Sequence, residues 1–320
     1  MTQDRRILET KSKISTCLHT LVLSVLLLNT CIAHGKPLAT KKIPSCRTLR
    51  SMARIYMAYG EYAKAQTLAE QALNQARKQE ISDAELAMCL IDIGTLYSWQ
   101  DRLDEAEEMC SLGLELQRKV LFDKHPYIAY TLRTLSTIYR RQAKYEQARV
   151  ALDDAIGIML YTHKPEDRAL APFEVDIGRL LVAQGKLTEA EGYYKKAIST
   201  IKTTYGLEHL YTANVLADMA GLYELQGKYA EAEELINEAL TIQEKIYGTE
   251  HRLLIPSWLT KAKISKAMGD GEQTEMLIHK ALAVVEKTNN LSYIAKLRED
   301  VARIRSDKQL ASAPVAKLVN

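Results

Sequence analysis

Between residues 213 and 246 the apolar side chains recur at helical spacing, stop, and recur again. Val215, Leu216, Met219, Leu222 and Tyr223 form an i, i+3/i+4, i+7 stripe, which predicts an amphipathic helix over 213–225. Gln226-Gly227-Lys228 breaks the stripe, and glycine there matches the left-handed residue that ends many helices. Ala232, Leu235, Ile236, Ala239, Leu240 and Ile242 then share one face of a second predicted helix over 229–246, closed by Tyr247-Gly248. Glu231, Glu233 and Glu234 stand in its first turn, where the helix dipole favours acid.

This two-helix phrase runs along most of the chain. Four columns trace it. A small residue before the turn recurs as Ala53, Gly94, Ser136, Gly178, Ala220 and Ala262. The turn itself falls at Gly60, Asp101, Ala143, Gly185, Gly227 and Gly269. A small residue after it recurs as Ala65, Ala106, Ala148, Ala190, Ala232 and Thr274, and another follows at Ala72, Gly113, Ala155, Ala197, Ala239 and Ala281. Each column steps by 41 and then by 42 four times, so a single deletion lies between Ala72 and Gly94. Two antiparallel helices joined by a short turn pack closely where bulk is absent at the crossing, which explains the small columns. A ring three residues after the first column, at Tyr56, Tyr97, Tyr139 and Tyr223, fills the remaining space, with Leu181 and Ser265 at the other two units.

This pattern of small residue, tyrosine, turn glycine and two further small residues resembles the tetratricopeptide repeat, whose usual unit is about 34 residues. The longer period and the Tyr-Gly-x-x-His connector, at 205–209 and 247–251, look more like the kinesin-light-chain type. The resemblance covers about residues 46–288. It implies an all-α fold: a right-handed α–α superhelical solenoid of six helix hairpins plus a C-terminal capping helix. That family commonly carries an Asn pair in the first helix of each unit. Here the matching positions hold Arg133-Thr134 and Ala217-Asp218, and no long heptad segment is present for pairing with a motor chain.

The flanks divide the chain further. Arg5, Arg6, Lys11 and Lys13 precede the apolar run at 21–28, and Ala33 and Gly35 follow. A basic start, a short apolar run and small residues read as a secretory signal peptide over 1–35, cleaved near Ala33 or Gly35. The run is short of the ~20 apolar residues that span a bilayer. The expected location is therefore periplasmic or extracellular. The stretch ending in Cys31 also resembles a lipoprotein box, in which Cys31 would carry lipid, and an uncleaved anchor or a floppy tail is the other reading of the segment. Residues 36–45 read as a linker. The repeats are expected at about 46–82, 83–126, 127–166, 167–209, 210–251 and 252–288, with a capping helix over 289–305 and a disordered tail over 306–320.

Composition narrows the function classes. There are 43 Lys and Arg against 40 Asp and Glu, and removal of the first 35 residues takes four bases and two acids, leaving a formal charge of +1. Near neutrality gives no case for nucleic acid, and a membrane enters only through lipidated Cys31. The oligomeric state is open. Cys46, Cys89 and Cys110 remain in the repeat region. Cys46 and Cys89 fall near the starts of adjacent first helices, so one pair could bridge in an oxidising compartment. The alternative is three small buried residues.

No catalytic constellation emerges. Gly178 and Gly185-Lys186 have the wrong spacing for a phosphate loop, and Leu187 stands where Ser or Thr is needed. There is no metal-type His or Cys pair, so no enzyme activity, cofactor or metal is expected. His125, His209 and His251 share a connector position and read as capping groups. Asn290-Leu291-Ser292 is a glycosylation sequon.

What remains is the concave face that stacked helix pairs create, lined by the first helices. The positions beside the core stripe include Arg50, Arg54, Met88, Ile91, Trp99, Tyr130, Arg133, Arg140 and Arg179. Guanidinium grips carboxylates with two parallel hydrogen bonds, and the interspersed apolar types anchor interfaces. The expected role is a scaffold that binds a protein or peptide, acidic and partly apolar, in this groove. The alternatives are a lipid-anchored envelope assembly factor acylated at Cys31 and, more weakly, an enzyme or saccharide-binding protein using the same groove.

Overall fold

The computed structural model describes residues 44–78, 82–164, 167–205, 209–287 and 291–306, and the described residues from Ser45 onward belong to one compact unit. The expected signal peptide, Cys31, the linker up to residue 43, Asn290 and residues 307–320 lie outside the described residues. Among the described residues there are thirteen α-helices and no strand. They pair as α1 (Cys46–Ala58) with α2 (Tyr62–Lys78), α3 (Asp83–Trp99) with α4 (Leu103–Val120), and α5 (Pro126–Arg141) with α6 (Tyr145–Thr162). The series continues with α7 (Ala171–Ala183) and α8 (Leu187–Tyr205), α9 (Leu210–Leu225) and α10 (Tyr229–Tyr247), and α11 (Ile255–Ala267) and α12 (Gly271–Glu286). Helix α13 (Leu291–Ser306) packs on the last pair. The result is a right-handed solenoid of six hairpins.

Each hairpin reverses through one left-handed residue, and the six are the turn column: Gly60, Asp101, Ala143, Gly185, Gly227 and Gly269, with φ between +58° and +85°. The hydrogen bonds around them are those of a Schellman cap. In every unit the turn residue donates to the carbonyl three back, as Gly227 does to Glu224 at 3.0 Å, and the next residue donates five back, as Lys228 does to Tyr223 at 2.9 Å. The acceptors of the second bond are Tyr56, Tyr97, Tyr139, Leu181, Tyr223 and Ser265, so the ring column also marks the cap. In four units a cation just past the turn lies over that ring, closest where Arg102 sits 3.9 Å from the Tyr97 centroid.

The small columns are the crossing points. Ala65, Ala106, Ala148, Ala190 and Ala232 are fully buried. A Cβ at Gly94 would lie 2.5 Å from Cys110 Sγ, and one at Gly178 would lie 2.4 Å from the Tyr194 ring. First helices touch the first helix of the following unit, while second helices pack on first helices, so the first helices form the inner layer. The helix expected over 213–225 begins earlier, at Leu210, because His209 caps it: Nδ1 accepts from the Tyr211 amide at 3.2 Å. His125 caps α5 in the same way at 3.1 Å. His251 instead caps the short 3-10 turn Arg252–Leu254, after which Pro256 opens α11 near its first position.

The superhelix returns on itself. Arg252, at the start of the sixth unit, donates from Nη1 to the Met57 carbonyl at 2.9 Å and to the Ala58 carbonyl at 3.3 Å. Those are the last carbonyls of α1, the helix end that favours a cation, and the Met57 oxygen also accepts from the Gly60 amide of the cap. The same guanidinium bonds Tyr62 Oη and lies over the rings of Tyr62, Trp99 and Tyr293. A Cβ at Gly60 would come within 2.8 Å of the Arg252 side chain, so this glycine is required for close approach as well as for its φ of +76°. Tyr59 meets His251 with ring centroids 5.9 Å apart, and Lys296 of α13 pairs with Asp101 at 3.0 Å.

Ala143→Gly removes the Cβ from a left-handed residue with space around an exposed turn, and is expected to stabilise the fold by about 1 kcal/mol in denaturant unfolding. Arg252→Ala is expected to leave the helical circular dichroism intact while raising the radius of gyration in small-angle scattering, because the hairpins remain stacked and the seam opens. An unchanged radius would show that the seam does not depend on this side chain.

Candidate functional site

The inner face carries a ladder of charge built from first helices. Arg50 on α1 donates from Nε to Asp92 Oδ2 on α3 at 2.6 Å and approaches Glu85 at 3.3 Å. Arg54, one turn on, takes the other oxygen of Asp92 at 2.7 Å. Arg133 on α5 holds Asp176 on α7 at 2.5 Å, and Arg179 holds Asp176 at 3.0 Å and Asp218 on α9 at 2.7 Å. Asp92 and Asp176 are buried, and each lies between two guanidiniums. A buried carboxylate needs such pairing to offset its desolvation. Burial alone would lower the pKa of Arg50 and Arg179, but the facing aspartates outweigh it and hold both above the usual arginine value.

The ladder borders a partly open cavity of about 820 Å³, lined on its other side by residues of the seam. Arg133, Arg140 and Arg179 line it from the inner helices, and Trp99, half exposed, stands at its edge. Arg141, Arg252 and Lys296 add three more cations, and Tyr62 and Tyr293 add rings. Two carboxylates, Asp101 and Asp218, line it against these six cations. Arg140 differs from its neighbours. Among the described residues its guanidinium has no ion pair or hydrogen bond, and burial together with the Arg179 charge pushes its pKa down, partly opposed by the more distant Asp176 and Asp218.

A second hollow of about 260 Å³ adjoins the first through Thr95 and Thr134. Arg54, Met88, Ile91 and Tyr130 line it. The structure thus brings together Arg54, Met88, Ile91, Trp99, Tyr130, Arg133, Arg140 and Arg179 along one inner surface. Arg50 lies beneath that surface, buried and occupied by Asp92 and Glu85. Tyr62, Arg141, Arg252, Tyr293 and Lys296 were not expected at the site. They arrive there through the closure of the superhelix. A pairing signal did exist in the sequence: Arg50 and Asp92, and Arg133 and Asp176, stand about one repeat apart. Among the described residues no group of three or more His, Cys, Asp or Glu could hold a metal ion.

A third hollow of about 240 Å³, also bordered by Arg140 and Arg179, contains Glu224 of α9. Glu224 is buried and makes no ion pair among the described residues. Burial raises its pKa, partly opposed by Lys263.

A model of the tetratricopeptide repeat family matches residues 44–109, 85–160 and 170–245, together more than half of the chain. Among curated proteins none matches. Solved structures with this fold include NprR in complex with its cognate peptide NprX, 13% identical, with a TM-score of 0.63 over 94% of this chain and 82% of that one. A Rap protein complexed with Competence and Sporulation Factor is 15% identical, with a TM-score of 0.59 over 83% and 75%. A Podosopora anserina chain of nearly identical kinesin-light-chain TPR-like repeats is 22% identical, with a TM-score of 0.48 over 63% and 97%.

A carboxyl whose pKa is raised on folding lowers stability above the ordinary glutamate value of about 4.3 and has no effect well below it. Glu224→Gln is therefore expected to raise the urea midpoint at pH 7, with the gain disappearing as the pH falls toward 4. A variant less stable than the parent at pH 7 would mean that the ionised carboxylate is used in the fold.

Proposed function

The chain belongs to the tetratricopeptide-repeat family, and on that premise we propose that it is a non-catalytic binding scaffold whose inner cavity takes an acidic, partly apolar peptide segment. The observation that carries this reading is Arg140, a cation left without an ion pair in a cavity that six cations and two carboxylates line. The ladder arginines already have carboxylate partners. Arg140 has none, and a ligand carboxylate would supply the bidentate acceptor that its planar fork fits. Trp99, Tyr62 and Tyr293 beside it offer flat apolar faces, and Met88, Ile91 and Tyr130 continue the surface into the adjoining hollow. NprR, which shares the fold, is in complex with its cognate peptide NprX. The same reading places the protein outside the cytoplasm, in the periplasm or extracellular space, on the strength of the basic start and short apolar run of residues 1–35, with acylation of Cys31 as its anchored form.

Selection of a random displayed peptide library on the full chain tests the proposal. The enriched sequences are expected to combine Asp or Glu with aromatic or aliphatic residues. Arg140→Ala is expected to weaken an enriched peptide roughly 10- to 100-fold, the range for a lost hydrogen bond to a charged group. Enrichment without acids, or equal affinity for the Arg140→Ala variant, would overturn it.

A further inference from the structure

Cys46 and Cys89 come together in the buried layer between the first two hairpins. Cys46 is the first residue of α1, and Cys89 lies near the middle of α3. Their Sγ atoms are 3.3 Å apart, and Cys46 also faces the Ala72 carbonyl at 3.5 Å. Both side chains are buried among Leu49, Ala72 and Ala76. Cys110 belongs to a different cluster, packed at the Gly94 crossing of the second hairpin. No thiol faces it among the described residues. A disulfide requires the sulfurs to close to about 2.0 Å, and at 3.3 Å the two are already in contact.

We infer that Cys46 and Cys89 form a disulfide that staples the first hairpin onto the second, with Cys110 remaining a free thiol.

The position gives the bridge a purpose. A terminal repeat has one neighbour in place of two and opens most readily. This terminal repeat also supplies the Met57 and Ala58 carbonyls and the Tyr62 hydroxyl that Arg252 holds across the seam. A covalent link between α1 and α3 would keep those acceptors in place. The electrons go to a small-molecule disulfide such as oxidised glutathione. The Cys46 thiolate attacks one glutathione sulfur and releases the first glutathione thiolate. The Cys89 thiolate then attacks Cys46 Sγ and releases the second. Two electrons pass to the reagent, and the two protons given up by the cysteines go to solvent and the leaving thiolates. Burial, reinforced by the Cys46 contact, pushes the Cys89 thiol up. Burial likewise pushes Cys110 up to about 12. Oxidation is therefore expected to proceed through fraying of α1, whose first residue is Cys46, with no comparable route to mid-helix Cys110.

Peptide mapping of the full chain after equilibration in oxidised and reduced glutathione tests the assignment. Trypsin releases residues 43–47 with Cys46 and residues 79–102 with Cys89. The expected product is these two peptides joined and separable by reductant, with Cys110 alkylated as a free thiol. The joined form is expected to show a higher thermal midpoint than the reduced form, a difference absent in Cys46→Ala, which keeps a small apolar side chain at the site. Recovery of both peptides as free thiols from folded, equilibrated protein would overturn the inference. So would a bridge that uses Cys110.

Discussion

The reversal of each hairpin through a single left-handed residue is the constraint on which the solenoid rests. Four of the six positions after which the chain turns are glycine, and Asp101 and Ala143 hold the same conformation at φ of +66° and +58°. The paired Schellman bonds set the angle at which the second helix leaves, and the small columns then let the two helices close to contact. Because the geometry is repeated, so is the small rotation between hairpins. Five such rotations bring Arg252 back to the C-terminal end of α1. The cavity is a consequence of that return. It is not encoded in any one repeat.

The charges of the inner face divide between two tasks. Asp92 and Asp176 are buried and each takes two arginines, so Arg50, Arg54, Arg133 and Arg179 serve first to join successive inner helices. Removing one member of such a set leaves an uncompensated buried charge and is strongly destabilising. A count of arginines therefore overstates the charge offered to a ligand. The distinction lies in pairing: Arg140 has the position of a ladder residue without an ion pair, and burial beside Arg179 depresses its pKa despite the opposing pull of Asp176 and Asp218. Glu224 is the complementary case, an acid near the same arginines whose burial is not matched by an ion pair.

Much of the fold was legible in the sequence because its determinants are local and periodic. The turn column at Gly60, Asp101, Ala143, Gly185, Gly227 and Gly269 falls on the six left-handed turns. The ring column supplies the carbonyl that accepts from the amide just after each turn, five residues on, and the shared connector histidines His125 and His209 cap helices. Position beside the core stripe located Arg133, Arg140 and Arg179 on one surface with Trp99. Arg252, Tyr62, Tyr293 and Lys296 were not legible. Their meeting depends on the rotation accumulated over five hairpins, and a small difference per hairpin would carry them past one another. The burial of Arg50 escaped for another reason: its neighbours Asp92 and Glu85 lie on a different helix, and the one-repeat spacing that pairs Arg50 with Asp92 is not a helical period.

The seam and the stack differ in what holds them. Hairpins are joined by contiguous apolar clusters whose members, such as Trp258, Ile236 and Phe173, are fully buried. The seam relies on one guanidinium, a tyrosine–histidine ring contact and the Lys296–Asp101 pair, whose side chains are 47% and 49% exposed. An exposed pair of that kind contributes up to about 1 kcal/mol. Opening at the seam therefore disrupts far less packing than separating any two hairpins. Tyr62, Trp99, Arg252 and Lys296 belong both to the seam and to the cavity wall. A ligand that touches both sides would bind the closed form more tightly than the open one, and by that difference it would shift the population toward closure.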